Sequence, residues 1–245
     1  CFCCPPNTLR TLCEAQEYAY SIATTSDASA SGQTLYVNLY GQNALKLKDL
    51  EIEQTTDHPW DGKLRIEVKK AKNLATIKLH KPNWCESYSV KVNGEPAEMN
   101  ISRKWKKGDV IELTLDMPVR LVEANPLVEE AKNQVAVMRG PIVYCLEGQD
   151  IAAVPDVASG KPRINDIALP ADIQFTEKKI TLEGHEMIAL EGDALLTNET
   201  SWNNQTLYRT LSKSKGKKVK VCLIPYYAWD NRGIDDMSLW LPLAR

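Results

Sequence analysis

The chain is short of most features that assign a protein quickly. Only two phenylalanines and three histidines occur in 245 residues. The histidines, His58, His80 and His185, lie far apart, so no His-x-x-x-His metal pair exists. No second Cys-x-x-Cys pair is available to complement the cysteines at the chain start. No run approaches the ~18 consecutive apolar residues of a membrane helix, so no membrane partner is expected. Basic residues are not in excess: 30 Lys and Arg stand against 32 Asp and Glu, for a net charge of −2. That balance argues against a nucleic-acid partner. The densest basic patch, Lys213 to Lys218, reads as a solvated turn. The chain start has no Met, no basic leader and no apolar h-region, so a signal peptide is not expected. The compartment cannot be read from the start of this chain. No repeat of fixed period is visible.

What is present fits a globular protein. Apolar residues make up 43% and charged residues 25%, close to ordinary soluble domains, so a buried core is expected. The length suits one large or two medium domains. Seven cysteines, Cys1, Cys3, Cys4, Cys13, Cys85, Cys145 and Cys222, form an odd and clustered set rather than a disulfide framework. Cys145 and Cys222 sit in apolar strand-like runs and read as small buried hydrophobes.

One helix is expected, over 8–24, with Asn7 or Thr8 as its cap and Leu9, Leu12, Cys13, Ala19, Tyr20 and Ala23 as an imperfect stripe. A Ser/Thr/Ala/Gly stretch from Thr24 to Thr34 then reads as a loop. Beyond it the apolar period becomes two. Leu35, Val37 and Leu39 alternate with polar residues, as do Leu64, Ile66 and Val68, and Ile111, Leu113 and Leu115. Further runs at 45–47, 77–79 and 88–92 continue the pattern, and Asn93-Gly94 marks a tight turn. A second β region follows Asn125-Pro126, with strands near 135–138, 142–146, 180–182, 187–190 and 219–224. Alternating strands buried on one face predict antiparallel sandwiches.

Cys3-Cys4-Pro5-Pro6-Asn7 is the segment with chemical potential. Adjacent thiols cannot easily bridge each other, but both can reach one metal if the backbone turns between them. A helix N-terminus carries about half a positive charge and favours a thiolate, and a thiolate can act as a nucleophile. From the residues alone, vicinal cysteines before a helix read first as structural. The tryptophans Trp60, Trp84, Trp105, Trp202, Trp229 and Trp240 could stack on sugars, but read first as packing. The triplets within 198–206 that match a glycosylation pattern are given no weight.

The Cys3–Asn7 motif with Arg10 resembles the Cys-Cys-Pro-Pro-Asn motif of the β-L-arabinofuranosidases of glycoside hydrolase family 127. Collinear matches extend the resemblance along nearly the whole chain: Leu35–Tyr40, Thr56–Gly62, Pro82–Cys85, Trp105–Asp109, Met117–Arg120, Arg139–Tyr144, Pro225–Gly233 and Trp240–Pro242. The resemblance implies that the chain is mainly β: two antiparallel β-sandwich domains following the last helix of a truncated (α/α)6 barrel. Residues 1–30 would be the remnant of that barrel. Residues 31–124 together with 225–245 would form sandwich I, and 125–224 sandwich II. It implies Cys3 as nucleophile, and Cys3 and Cys4 as ligands of a zinc ion whose site is incomplete in this chain. A Glu and a third Cys ligand, the Glu acid/base and the sugar-contacting residues would precede the motif. The implied reaction is retaining release of L-arabinose from plant glycans or glycoproteins, through a thioglycosyl intermediate. The implied partner is an arabinose-containing glycan, and a homodimer is left open. Two other readings compete: a non-catalytic carbohydrate-binding or scaffolding β module, and an unrelated zinc or redox protein using Cys1, Cys3 and Cys4.

Overall fold

The structure is a computed structural model that describes residues 2–24, 33–72, 74–154, 162–197, 207–208, 210 and 216–244. Cys1, most of the expected 24–34 loop, Pro155, Trp202, the triplets of 198–206 and positions 213–215 of the basic turn lie outside the described residues. The chain divides into two compact units, Cys1–Met117 and Pro118–Arg245. Each has its own hydrophobic core. No helix among the described residues is long and apolar enough to cross a membrane.

The first unit begins with α1 (Cys4–Tyr18), and both ends of this helix differ from the expected 8–24. Pro5 and Pro6 lie inside the first turn. Backbone N–H groups there have no intrahelical acceptor, so the missing donors cost nothing. Cys3, not Asn7 or Thr8, takes the N-cap position. At the far end, Tyr20–Thr24 form strand β1, paired from Tyr20↔Val37 to Thr24↔Gln33. The spacing of Ala19, Tyr20 and Ala23 therefore suits a strand as well as a helix, and cross-strand pairing decides. No residue of α1 is buried.

The other strands of this unit are β2 (Gln33–Val37), β3 (Asn43–Lys46), β4 (Leu50–Thr56), β5 (Lys63–Ala71), β6 (Leu74–Leu79), β7 (Tyr88–Val92), β8 (Glu95–Pro96), β9 (Asn100–Lys104) and β10 (Val110–Leu115). They form a four-stranded sheet, β1-β2-β6-β9, and a six-stranded sheet, β3-β4-β5-β10-β7-β8. Leu35, Ile77 and Ile101 of the first sheet share one buried cluster with Ile52, Ile66, Val90 and Ile111 of the second. Two sheets over one core make the expected sandwich. It is not wholly antiparallel, because β2 and β6 run parallel. β4 escaped the sequence reading because Gln54 breaks its apolar alternation. Gln54 is only 1% exposed, and its amide donates to the Tyr20 hydroxyl at 2.6 Å.

The second unit contains β11 (Val119–Glu123), β12 (Gln134–Arg139), β13 (Ile142–Glu147), β14 (Ile167–Pro170), β15 (Thr176–Leu182), β16 (His185–Leu196), β17 (Lys217–Pro225), β18 (Met237–Ser238) and β19 (Leu241–Ala244). Pairing runs from β12 to β19, β14, β16, β17, β13 and back to β12. Among the described residues this is a closed, barrel-like ring of six strands, not the two-sheet sandwich expected. Closure removes the exposed edges an open sheet would present. β11, β15 and β18 hang on the ring through β12, β16 and β13. Val137, Tyr144, Leu146, Leu169, Leu190, Val221 and Leu223 belong to one buried cluster. Cys145, Met187, Ala189 and Ile224 belong to a second. Alternate residues of β13 thus serve two cores, as a period of two requires.

The C-terminal segment corrects the expected domain division. Among the described residues, 225–244 form no strand pairing with the first unit's sheets. β19 pairs with β12 and, in parallel, with β14. Without it the ring would open between those strands. The boundary falls at 117/118, so 118–124 also belong to the second unit.

Asn93-Gly94 forms the expected turn between β7 and β8, with φ of 54° and 86°. The Asn93 side chain also donates to Asp109 Oδ1 at 2.9 Å and accepts the Val110 amide at 2.8 Å. The buried Asp109 accepts the Lys106 amide at 2.8 Å as well. Burial alone would raise its pKa. The hydrogen bonds from Asn93 and Lys106, with the charges of Arg103 and Lys106, outweigh that and hold it below the usual carboxylate range. A depressed folded-state pKa stabilises the fold above the unfolded value of 3.8, and the contribution is lost as pH falls through the folded value. Asp109→Asn should therefore be less stable than wild type by a constant amount from neutrality to about pH 5, with the gap closing below about pH 4. Urea unfolding at stepped pH measures this, and a gap that persists unchanged in acid would contradict it.

Candidate active site

Cys3 and Cys4 stand at the entry of α1, exposed, with their sulfurs 3.8 Å apart. The helical turn at Cys3, φ −81° and ψ −32°, brings the two side chains together. Two thiolates bound at about 2.3 Å to one tetrahedral zinc ion are themselves about 3.8 Å apart. The pair therefore fits as two of the four ligands of such an ion. No group of three or more His, Cys, Asp or Glu placed to hold a metal ion occurs among the described residues. The pair thus accounts for half a tetrahedral site.

The motif is tied together locally. The Asn7 amide donates to the Cys3 carbonyl at 3.1 Å, closing the first helical turn. Thr8 Oγ1 donates to the Cys4 carbonyl at 2.9 Å, and Arg10 Nη1 to Asn7 Oδ1 at 3.2 Å.

The other cysteines are different. Cys13 lies nine residues further along α1, which at the helical rise is about 14 Å away. Cys85 is buried and donates to the Ser87 carbonyl at 3.0 Å, and burial pushes its thiol pKa up. Burial, then the carboxylates of Glu147 and Asp150, push Cys145 up to about 12. Burial also raises half-buried Cys222. A protonated thiol is neither a good ligand nor a nucleophile, so the structural reading of Cys145 and Cys222 holds. The three histidines remain dispersed. His58 stands between Tyr40, edge-on at 6.1 Å, and Trp84, stacked at 6.2 Å. Burial, opposed by Asp61, lowers its pKa and favours a neutral ring. Its turn closes through Gly62, where any Cβ would lie 1.9 Å from the Leu115 carbonyl oxygen. Among the described tryptophans, Trp105 is buried, whereas Trp60 and Trp229 are exposed.

The sequence reading missed one charged cluster. Arg232 donates to Glu147 and, through both terminal nitrogens, to Asp150, with the Nη1 bond at 2.8 Å. Glu147 is 1% exposed and also accepts the Asp230 amide at 3.0 Å. The cluster fastens the segment after β17 to the end of β13. The partners are more than 80 residues apart, and only the ring closure could have announced them. Arg232→Met would leave the Glu147 carboxylate buried without its cation, at a cost of about 3–5 kcal/mol. Chemical denaturation should show that loss in the second unit, with partial recovery in Glu147→Gln/Arg232→Met. A loss below about 1 kcal/mol would mean the segment is held by other contacts.

Comparisons with known proteins follow this geometry. The family model "Beta-L-arabinofuranosidase, GH127 middle domain" matches residues 34–117, and "Glycoside hydrolase family 127 C-terminal domain" matches 119–242. A curated relative, the non-reducing end β-L-arabinofuranosidase of Bifidobacterium longum subsp. longum, is 30% identical over 254 aligned positions. The alignment covers 98% of this chain and 37% of that protein. A solved structure described as a glycoside hydrolase is 46% identical with a TM-score of 0.84, covering all of this chain and 40% of the other. The crystal structure of a GH127 β-L-arabinofuranosidase from Geobacillus stearothermophilus T6 is 32% identical, TM-score 0.81, covering all of this chain and 38% of the other. The chain thus spans about two fifths of the length of these relatives.

Proposed function

From the premise that the chain belongs to glycoside hydrolase family 127, we propose that it is part of a retaining β-L-arabinofuranosidase that releases L-arabinose from plant glycans or glycoproteins. The proposed nucleophile is Cys3, and the proposed zinc ligands within this chain are Cys3 and Cys4. The observation that carries this reading is the convergence of the two sulfurs to 3.8 Å at a helix N-terminus.

Each residue has a task in this proposal. Cys3 Sγ attacks the anomeric carbon as a thiolate, and the glycosidic oxygen leaves with a proton from a carboxylic acid. That acid belongs to the longer parent, as do the remaining metal ligands. Water then displaces sulfur, and two displacements retain the anomeric configuration. Cys3 and Cys4 would hold a zinc ion, whose positive charge would favour the thiolate form of both. Cys4 orients the pair, while Asn7 and Arg10 hold the turn on which both stand. We read α1 as the last helix of an (α/α)6 catalytic domain. Its exposed apolar positions, Leu9 and Leu12, support a helix meant to pack against more protein than this chain contains.

The test is kinetic. Purified parent enzyme should hydrolyse p-nitrophenyl β-L-arabinofuranoside, and Cys3→Ser should lower kcat/KM by about 10³-fold or more. Chelation should also abolish activity, with recovery on adding zinc. Turnover near the wild-type level in Cys3→Ser would refute the nucleophile assignment.

A further inference from the structure

Tyr226 and Trp229 follow directly on the buried end of β17, yet they are 41% and 40% exposed. Residues 226–228 form a single 3-10 turn, in which the Trp229 amide donates to the Tyr226 carbonyl at 3.1 Å. Side chains three residues apart eclipse in such a turn. The rings of Tyr226 and Trp229 accordingly lie nearly parallel, with planes 11° apart and centroids 6.1 Å apart. Ala228, between them in sequence, is buried and belongs to the second buried cluster.

The segment that carries the two rings is fastened on its far side. Asn231 Nδ2 donates to the Ala228 carbonyl at 3.0 Å, and the Asp230 amide to Glu147 Oε1 at 3.0 Å. Arg232 is committed to Glu147 and Asp150. Rings ordered in advance lower the entropic cost of binding. Their polar edges are open, because neither the Tyr226 hydroxyl nor the Trp229 indole N–H bonds to a described residue. A fitting ligand therefore brings a C–H face to stack and hydroxyl groups for the ring edges, and a sugar ring has both. The charges of the segment outside the Arg232 cluster, Asp230, Asp235 and Asp236, are all acidic, which disfavours a polyanion. Near-parallel rings also form no cage around a cation.

We propose that Tyr226 and Trp229 form a stacking platform for a neutral oligosaccharide, two of whose sugar rings lie on the two aromatic faces. The platform stands on the ring geometry and the open polar edges. The choice of an arabinose-containing chain among neutral glycans rests on the proposed function. The platform uses residues of the second unit alone and none of the proposed chemistry.

Isothermal titration of this chain with arabinan oligosaccharides, cellohexaose, oligogalacturonate and choline chloride tests the proposal. Saturable binding of the arabinan oligosaccharides is expected, with weaker or no binding of oligogalacturonate and choline. Trp229→Ala should weaken that binding about tenfold with an unchanged melting temperature. Absence of binding to both neutral glycans, tighter binding of oligogalacturonate or choline, or full affinity in a folded Trp229→Ala overturns the proposal. Cellohexaose bound in place of arabinan supports the platform and removes only the choice of sugar. If Trp229→Ala does not fold, Trp229→Phe decides: it keeps a ring to stack but loses the indole N–H, so a smaller loss of affinity is expected and none overturns the proposal. The remaining arm asks whether more protein covers the rings. Trp229→Ala in the parent should reduce retention in a native gel containing arabinan, and unchanged retention there means a covered patch and overturns the proposal. None of these outcomes reads turnover, so the catalytic proposal can fail without affecting them.

Discussion

Two thiols on consecutive residues converge only where the backbone turns between them, and the proposed chemistry depends on that constraint. In an extended strand, neighbouring side chains point to opposite faces. At Cys3 the chain is already helical, and the sulfurs meet at 3.8 Å. Pro5 and Pro6 suit this arrangement, because proline is pre-organised for a helix start and lacks an amide that is unpaired there anyway. The proline-led helix start and the sulfur pair are consequences of one local geometry.

The two β units close differently. The first stacks two sheets over a shared core and leaves charged ladders outside, such as the Glu53–Lys69–Glu67 pairs across β4 and β5. The second rolls six strands into a ring, and alternate residues of β13 serve the ring's core and a second buried cluster. Glu147, at the end of β13, would be an intolerable buried charge without the cation that Arg232 brings from the far side of the sequence.

Much of this was legible in the sequence. Period-two alternation located most strands of the first unit, and Asn93-Gly94 located a hairpin, because both signals are local. The reading failed where tertiary pairing overrode a local signal. Tyr20–Thr24 kept enough helical spacing to be read as helix, yet β2 claims it as a strand. Gln54 hid β4, because a buried amide that donates to Tyr20 looks in the sequence like a solvent position. Ring closure by β19 was invisible, since a four-residue strand has no signature for its partners. At the candidate site, the residues alone suggested a modest helix start. Family resemblance supplied the roles of Cys3 and Cys4, and the structure supplies the sulfur separation on which those roles rely.

The central claim is that Cys3 becomes covalently bonded to the sugar during turnover. Acid-quenching the parent enzyme in the presence of a slow β-L-arabinofuranoside substrate, followed by peptide mass mapping, examines that bond directly. The account predicts one pentosyl group on the peptide containing Cys3, absent from Cys3→Ser. A pentosyl adduct on a carboxylate, or a product formed with inverted configuration and no adduct, would contradict it.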